Sequence, residues 1–151
     1  MLDIKTRKLV KQIATPHQLA GIAASPDGKG LVPASDNEPV IFLIDASTHE
    51  PVRTIPLQDV PKAAQIARFS PDGEILLVTS VQSGTATLLD ASFTHLVTLD
   101  VGRQPMDGIF RDGRIFVACQ GNGSVHVIDV AKRQVERSFA AGTGCETLGF
   151  F

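Results

Sequence analysis

An internal repeat constrains this chain more than any single residue does. Ser25-Pro26-Asp27-Gly28 returns as Ser70-Pro71-Asp72-Gly73 and, in degenerate form, as Arg111-Asp112-Gly113. The three glycines stand 45 and 40 residues apart, a period that belongs to arrays of stacked supersecondary units. A proline opens each unit at Pro16, Pro61 and Pro105, and Cys145 holds the equivalent place in a fourth.

Within a unit the order of marks is constant. An apolar run (Leu19 to Ala24, Ile66 to Phe69, Gly108 to Phe110) leads into the Asp-Gly turn, a strong hairpin signal between two such runs. A second run ends in Val32-Pro33-Ala34-Ser35, Leu77-Val78-Thr79-Ser80 or Phe116-Val117-Ala118-Cys119, and a second turn follows at Asp36 to Pro39, Gln82 to Gly84 or Gly121-Asn122-Gly123. Asn122-Gly123 predicts a type I′ turn with positive φ at both residues. The third run closes on Asp45, Asp90 or Asp129, and a fourth covers Val52 to Ile55, Leu96 to Leu99 or Val135 to Phe139. Asp45 and Thr48 suit local bonds to turn backbone.

Each unit therefore reads as a four-stranded antiparallel meander of the length of one β-propeller blade. The runs are apolar on both faces, which antiparallel strands show only when both faces are covered. A barrel would need a polar outer face along each strand, and a sandwich needs no such regular repeat. The fold class expected is all-β, a propeller built as an open arc. Blades span 16–58, 61–101 and 105–141, with the end of a partial blade at 1–15 and the first strand of a further blade at 145–151. Three blades fall short of the four to eight that close a ring. The expectation is a segment of a larger propeller, with self-completion by oligomerising through exposed blade faces as the alternative. Leu2-Asp3 matches the strand-ending Ile-Asp of later units, and Pro33 inside a predicted strand should interrupt a ladder bond and leave the first blade the least regular.

Taken in order, the proline, Ser-Pro-Asp-Gly, the aliphatic-Val-Thr-Ser tetrad and Leu43-Ile44-Asp45-Ala46-Ser47-Thr48 resemble the YVTN-type β-propeller repeat. That family shares its scaffold with quinoprotein amine dehydrogenase heavy chains, the haem d1 domain of cytochrome cd1 nitrite reductase and bacterial lactonases. The resemblance implies a propeller and an exported, periplasmic origin. It implies either a non-catalytic module that binds a protein or small ligand, or part of an oxidoreductase or lactonase. The chain lacks tyrosine and tryptophan, so the tetrad opens on Val32, Leu77 or Phe116 and the usual aromatic ladder is thinned.

Composition excludes more than it selects. A net charge of −2 with both signs scattered gives no support to nucleic-acid binding. No run of eighteen apolar residues and no secretion leader occurs in the sequence. Histidines at i and i+4, Cys-x-x-Cys and Gly-x-Ser-x-Gly are all missing, so neither a zinc site nor a hydrolase elbow is indicated. Gly142-Thr143-Gly144 follows an outer strand and leads into no helix, which excludes a dinucleotide loop. No catalytic residue, metal site or cofactor is expected. Cys119 and Cys145 fall near one rim of consecutive blades and read as free thiols.

Candidate binding residues follow from blade geometry. The residue after each opening proline should look into the mouth of the central channel: His17, Lys62, Met106 and Glu146. Loops joining second to third strands bring Asn37, Glu38, Gln82, Gln120 and Asn122 to the same rim, where a protein partner, a small ligand or the remaining blades would meet the chain. Among the other histidines, His126 should pack between blades, and His49 and His95 should sit exposed in turns.

Overall fold

The repeated turns fold by bonding to themselves. The computed structural model describes residues 1–149. In the first blade Ser25 Oγ donates to Asp27 Oδ1 at 2.6 Å and accepts from Gly30 N at 2.8 Å, while Lys29 N reaches Asp27 Oδ1 at 3.0 Å. Ser70, Asp72, Glu74 and Ile75 repeat these bonds in the second. Gly28 and Gly73 sit at φ 72° and 79°, where a side chain would be strained. The third unit lacks the Ser-Pro pair and uses a two-residue hairpin instead. Asp112 and Gly113 both adopt positive φ, 50° and 71°, between the paired Arg111 and Arg114.

These turns join strands into separate sheets. β1 (Leu2–Asp3) and β2 (Lys8–Leu9) form an N-terminal hairpin. The first blade is β3 (Leu19–Ala24), β4 (Gly30–Ser35), β5 (Val40–Asp45) and β6 (Pro51–Pro56). The second is β7 (Ile66–Phe69), β8 (Ile75–Ser80), β9 (Thr85–Asp90) and β10 (His95–Asp100). The third is β11 (Pro105–Arg111), β12 (Arg114–Cys119), β13 (Ser124–Asp129) and β14 (Gln134–Ala140). All pairs are antiparallel between sequence neighbours, so each blade is an up-and-down meander and the sheets form an open arc.

Each third strand ends on an aspartate that organises the turn after it. Asp45 Oδ1 accepts from Ser47 N, Ser47 Oγ and Thr48 N at 2.6–2.8 Å, which holds its carboxyl down at about 2. Asp90 does the same with Ser92 and Thr94, and Asp129 with Lys132. Asp3 accepts from Thr6 N at 2.6 Å, so the N-terminal hairpin carries the same turn as the outer half of a complete blade. The tight returns force left-handed backbone on Arg7, His49, Phe93 and Arg133.

Packing explains why the runs are apolar on both faces. Successive residues of a strand point to opposite sides. On β8, Leu76 and Val78 join Val32, Ala34 and Ile41 in the seam between the first and second blades. Leu77, between them, joins Ile115, Val117 and Ile128 in the seam with the third. The blades come closest at their innermost strands. Gly21 N donates to Gln65 O at 2.8 Å, and a Cβ on Gly21 would stand 2.9 Å from that oxygen. A Cβ on Gly108 would collide with Leu77.

Pro33 has its expected effect. Between β4 and β5 the register keeps Gly30 to Asp45, Leu31 to Ile44 and Ala34 to Ile41, with the ladder interrupted at Val32 and Pro33. The corresponding ladders of the other two blades run unbroken. Three expectations are corrected. Gln120–Asn122 form a 3₁₀ turn and only Gly123, at φ 60°, is left-handed, because the loop between β12 and β13 holds four residues, too many for a type I′ turn. His95 opens β10 half-buried, with Nε2 at 3.0 Å from Thr98 Oγ1, and His49 is half-buried in its turn. Residues 145–149, part of the strand placed at 145–151, carry no strand structure; Phe150 and Phe151 lie outside the described residues. There Leu148 N reaches Asp107 Oδ2 at 3.4 Å.

Two outcomes follow. Leu77→Ala should cost about 2–5 kcal/mol in urea unfolding, whereas Val52→Ala, at a position 60% exposed, should stay within about 0.5 kcal/mol; equal costs would mean that the second blade is not sandwiched. The aspartates at 27, 45, 72, 90 and 129 all have carboxyls lowered first of all by turn hydrogen bonds. Their stabilisation is complete above the ordinary aspartate range, near 4, and is lost as pH falls through the folded values. Calorimetry should therefore show a steady Tm from pH 7 to about 5 and a decline between about pH 4 and 2. Asp45→Asn should remove part of that decline.

Candidate functional site

The meander sorts the loops onto two rims. Connections between blades and loops between second and third strands lie on the upper rim, and the Asp-Gly loops and aspartate turns lie on the lower one. On the upper rim Lys62, Asn37, Gln82 and Asn122 are exposed. The loops beneath them are fixed: Lys62 N donates to Ser83 Oγ at 3.1 Å, Gln120 N to Gln104 O at 2.9 Å, and Glu38 N to Ser35 Oγ at 3.1 Å. Asn37 Oδ1 accepts from Ser35 Oγ at 2.9 Å. Gln82, Ser83, Arg103 and Gln104 wall a polar groove of about 500 Å³ between the second and third blades. Arg103 is oriented there by donating to Gly121 O at 2.7 Å.

The residues after the opening prolines differ in setting. His17 is half-buried, its ring stacked on Phe42 at 5.5 Å between centroids, so its imidazole spends one face on the flank of the first blade. Met106 is half-buried at the bulge between Pro105 and Asp107. Gln120 is half-buried in the 3₁₀ turn, and Glu146 is exposed on a segment without strand structure. The structure thus gathers Lys62 and Gln82 about one stretch of rim and gives His17 and Glu146 separate surroundings.

Sequence reasoning missed a pair at the axis. Asp107 on β11 is only 6% exposed and takes Arg68 of β7 at 2.9 Å, its own Gly108 N at 2.8 Å and Leu148 N. A buried carboxylate is costly without such partners. The signal lay in a lone Asp on an innermost run, but its partner belongs to another blade. His126 pairs across from Val117, which lies in the seam, and burial lowers its pKa. Cys119 is fully buried, its thiol pushed up to about 11 by desolvation, and it and Cys145 are free.

The lower rim carries an apolar concavity of about 430 Å³ between the first two blades. Leu43, Phe69 and Phe93, which pack on the seam, line it together with Asp27, Asp45 and Asp72. Among the described residues no three potential ligands gather as a metal centre, and no helix is long and apolar enough to cross a membrane.

No family model and no curated protein matches the chain. Solved structures do. Hydrazine synthase of Kuenenia stuttgartiensis superposes with a TM-score of 0.75 at 20% identity, over 91% of this chain and 41% of that one. U3-55K gives 0.73 at 19% identity, over 85% and 42%. The WD40 repeats of RRP9 give 0.72 at 20% identity, over 85% and 41%. The chain thus spans about two fifths of the length of these structures. At such identities the likeness speaks for the fold, and the fold is a β-propeller of WD40-like blades.

Proposed function

We propose that this chain is a non-catalytic binding module, a propeller segment of YVTN type in an exported, periplasmic setting, which holds a protein or small ligand through its upper-rim loops. The observation that carries this reading is the polar groove walled by Gln82, Ser83, Arg103 and Gln104, with Lys62 beside it. Its side chains stand on loops bonded to rigid sheets, so a partner meets donors and acceptors already in place and less entropy is lost on binding. Likeness to WD40 repeats supports a role in protein interaction.

The competing reading is a piece of a quinoprotein or haem-d1-like oxidoreductase, or of a lactonase, with His17 as the natural ligand or base. It is tested by titrating the chain with haemin at the Soret band and by assaying hydrolysis of gluconolactone. Neither a saturable spectral shift nor turnover is expected. Either one, lost in His17→Phe, which keeps a ring against Phe42, would overturn the non-catalytic reading. For the groove, Gln82→Ala combined with Arg103→Ala should leave Tm within about 2 °C and abolish cross-linking to any partner that the unaltered chain captures at Lys62.

A further inference from the structure

The lower-rim concavity joins two kinds of surface. Its floor is the open end of the first seam, where Leu43, Phe69 and Phe93 are only half-covered and Phe69 meets Phe93 edge to face at 6.4 Å. Its border is carboxylate. Asp27, Asp45 and Asp72 line it, against Lys29, whose Nζ lies 3.4 Å from Asp27 Oδ2 and whose side chain is largely exposed, and Arg53 at the edge.

The turns fix these carboxylates and leave them half unused. Bonds from Ser47 and Thr48 fall on Asp45 Oδ1, and those from Ser70 and Glu74 fall on Asp72 Oδ1. The second oxygen of each is left to a ligand, at no cost to the turn. An apolar floor under fixed anions matches a side chain that has an aliphatic stem and a cationic head. The chain itself places one such group at the edge of this floor. Arg53 lies over the Phe93 ring, 5.6 Å from its centroid, and donates to Ser92 O at 3.1 Å.

We propose that this groove receives a basic segment of a partner protein, seating the stem of a lysine or arginine on Leu43, Phe69 and Phe93 and its charge against Asp45 and Asp72. The site is on the rim opposite the loops discussed above, so its failure would leave that reading intact. Recognition is by charge and stem together. A polyanion, or an apolar segment without charge, gains nothing from the carboxylates.

The test is amide NMR of the whole ¹⁵N-labelled chain titrated with an acetylated, amidated Ala-Lys-Ala-Arg-Ala peptide, beside a copy with norleucine and citrulline in place of the two cations. Saturable shifts are expected at Ser25–Gly30, Asp45–Thr48, Ser70–Gly73 and Ala91–Phe93, with a Kd of about 1 mM or tighter. The uncharged copy should bind at least about tenfold more weakly, and added salt should weaken the basic peptide. Asp45→Asn with Asp72→Asn keeps the turn acceptors and should lose about tenfold in affinity, while Lys29→Ala should gain about two- to threefold. Equal binding of the two peptides, shifts spread over both rims, undiminished binding to the double variant, or no saturable shift would each overturn the proposal.

Discussion

Everything in this molecule depends on burying the second blade on both faces. A four-stranded meander that is apolar on both faces would, standing alone, leave those faces in water. Here Leu76 and Val78 go to one seam and Leu77 to the other, each fully buried. The hydroxyls on these strands are met only in part: those of Thr79, Ser80 and Thr85 are buried without a hydrogen-bond partner, whereas the outer pair of the blade is bonded. Thr87 bonds Thr98 at 3.1 Å, and Thr98 in turn donates to Gln58 O of the connection from the first blade. The seams also set the spacing at the axis, where only glycine fits at 21 and 108.

The flanks show what happens where a seam is missing. Phe42 alternates with the seam residue Ile41, so it points away from the second blade, yet it is only 3% exposed. The chain covers it with its own N-terminal segment, His17 lying against the ring and Lys11 tied to Glu50 at 2.6 Å nearby. Ile22, Val52 and Phe139 lack such cover and remain 62%, 60% and 44% exposed. The same apolar alternation that makes a blade stackable leaves apolar side chains in water wherever no neighbour is stacked on them.

What was legible in the sequence was what is bonded locally. The Ser-Pro-Asp-Gly loops and strand-ending aspartates hold themselves by contacts within about five residues, so their side chains declare the turn wherever they recur. The blades, the arc and the break at Pro33 follow from these turns and from apolar runs. Asn122-Gly123 misled because a dipeptide signal says nothing about the length of its loop. The setting of His17 was illegible for a different reason: its position after a proline places the backbone, but Phe42, on a strand far along the chain, decides where the ring goes. Arg68 and Asp107 were hidden in the same way, since nothing in either neighbourhood names the other.

The two rims then divide the surface by chemistry rather than by chance. Upper loops keep one length, four residues, but vary in composition from blade to blade, as Asp36–Pro39, Val81–Gly84 and Gln120–Gly123 do, because their backbones are held by bonds that do not demand particular exposed side chains. Lower turns have no such freedom. The Ser-Pro-Asp-Gly loops and the turns after the third strands hold their aspartates ionised through hydrogen bonds, so the lower rim is acidic for structural reasons before any partner is considered. An anion held for folding is also one that need not be ordered for binding, since its orientation is already fixed by the turn. The first two blades set two such turns beside a seam end that half-exposes Phe69 and Phe93, whereas the corresponding concavity at the next seam has Arg111 and Arg114 at its wall. The same repeat thus yields an acidic groove at one seam and a mixed one at the next, the difference lying in Arg111 and Arg114, which flank the Asp112-Gly113 turn.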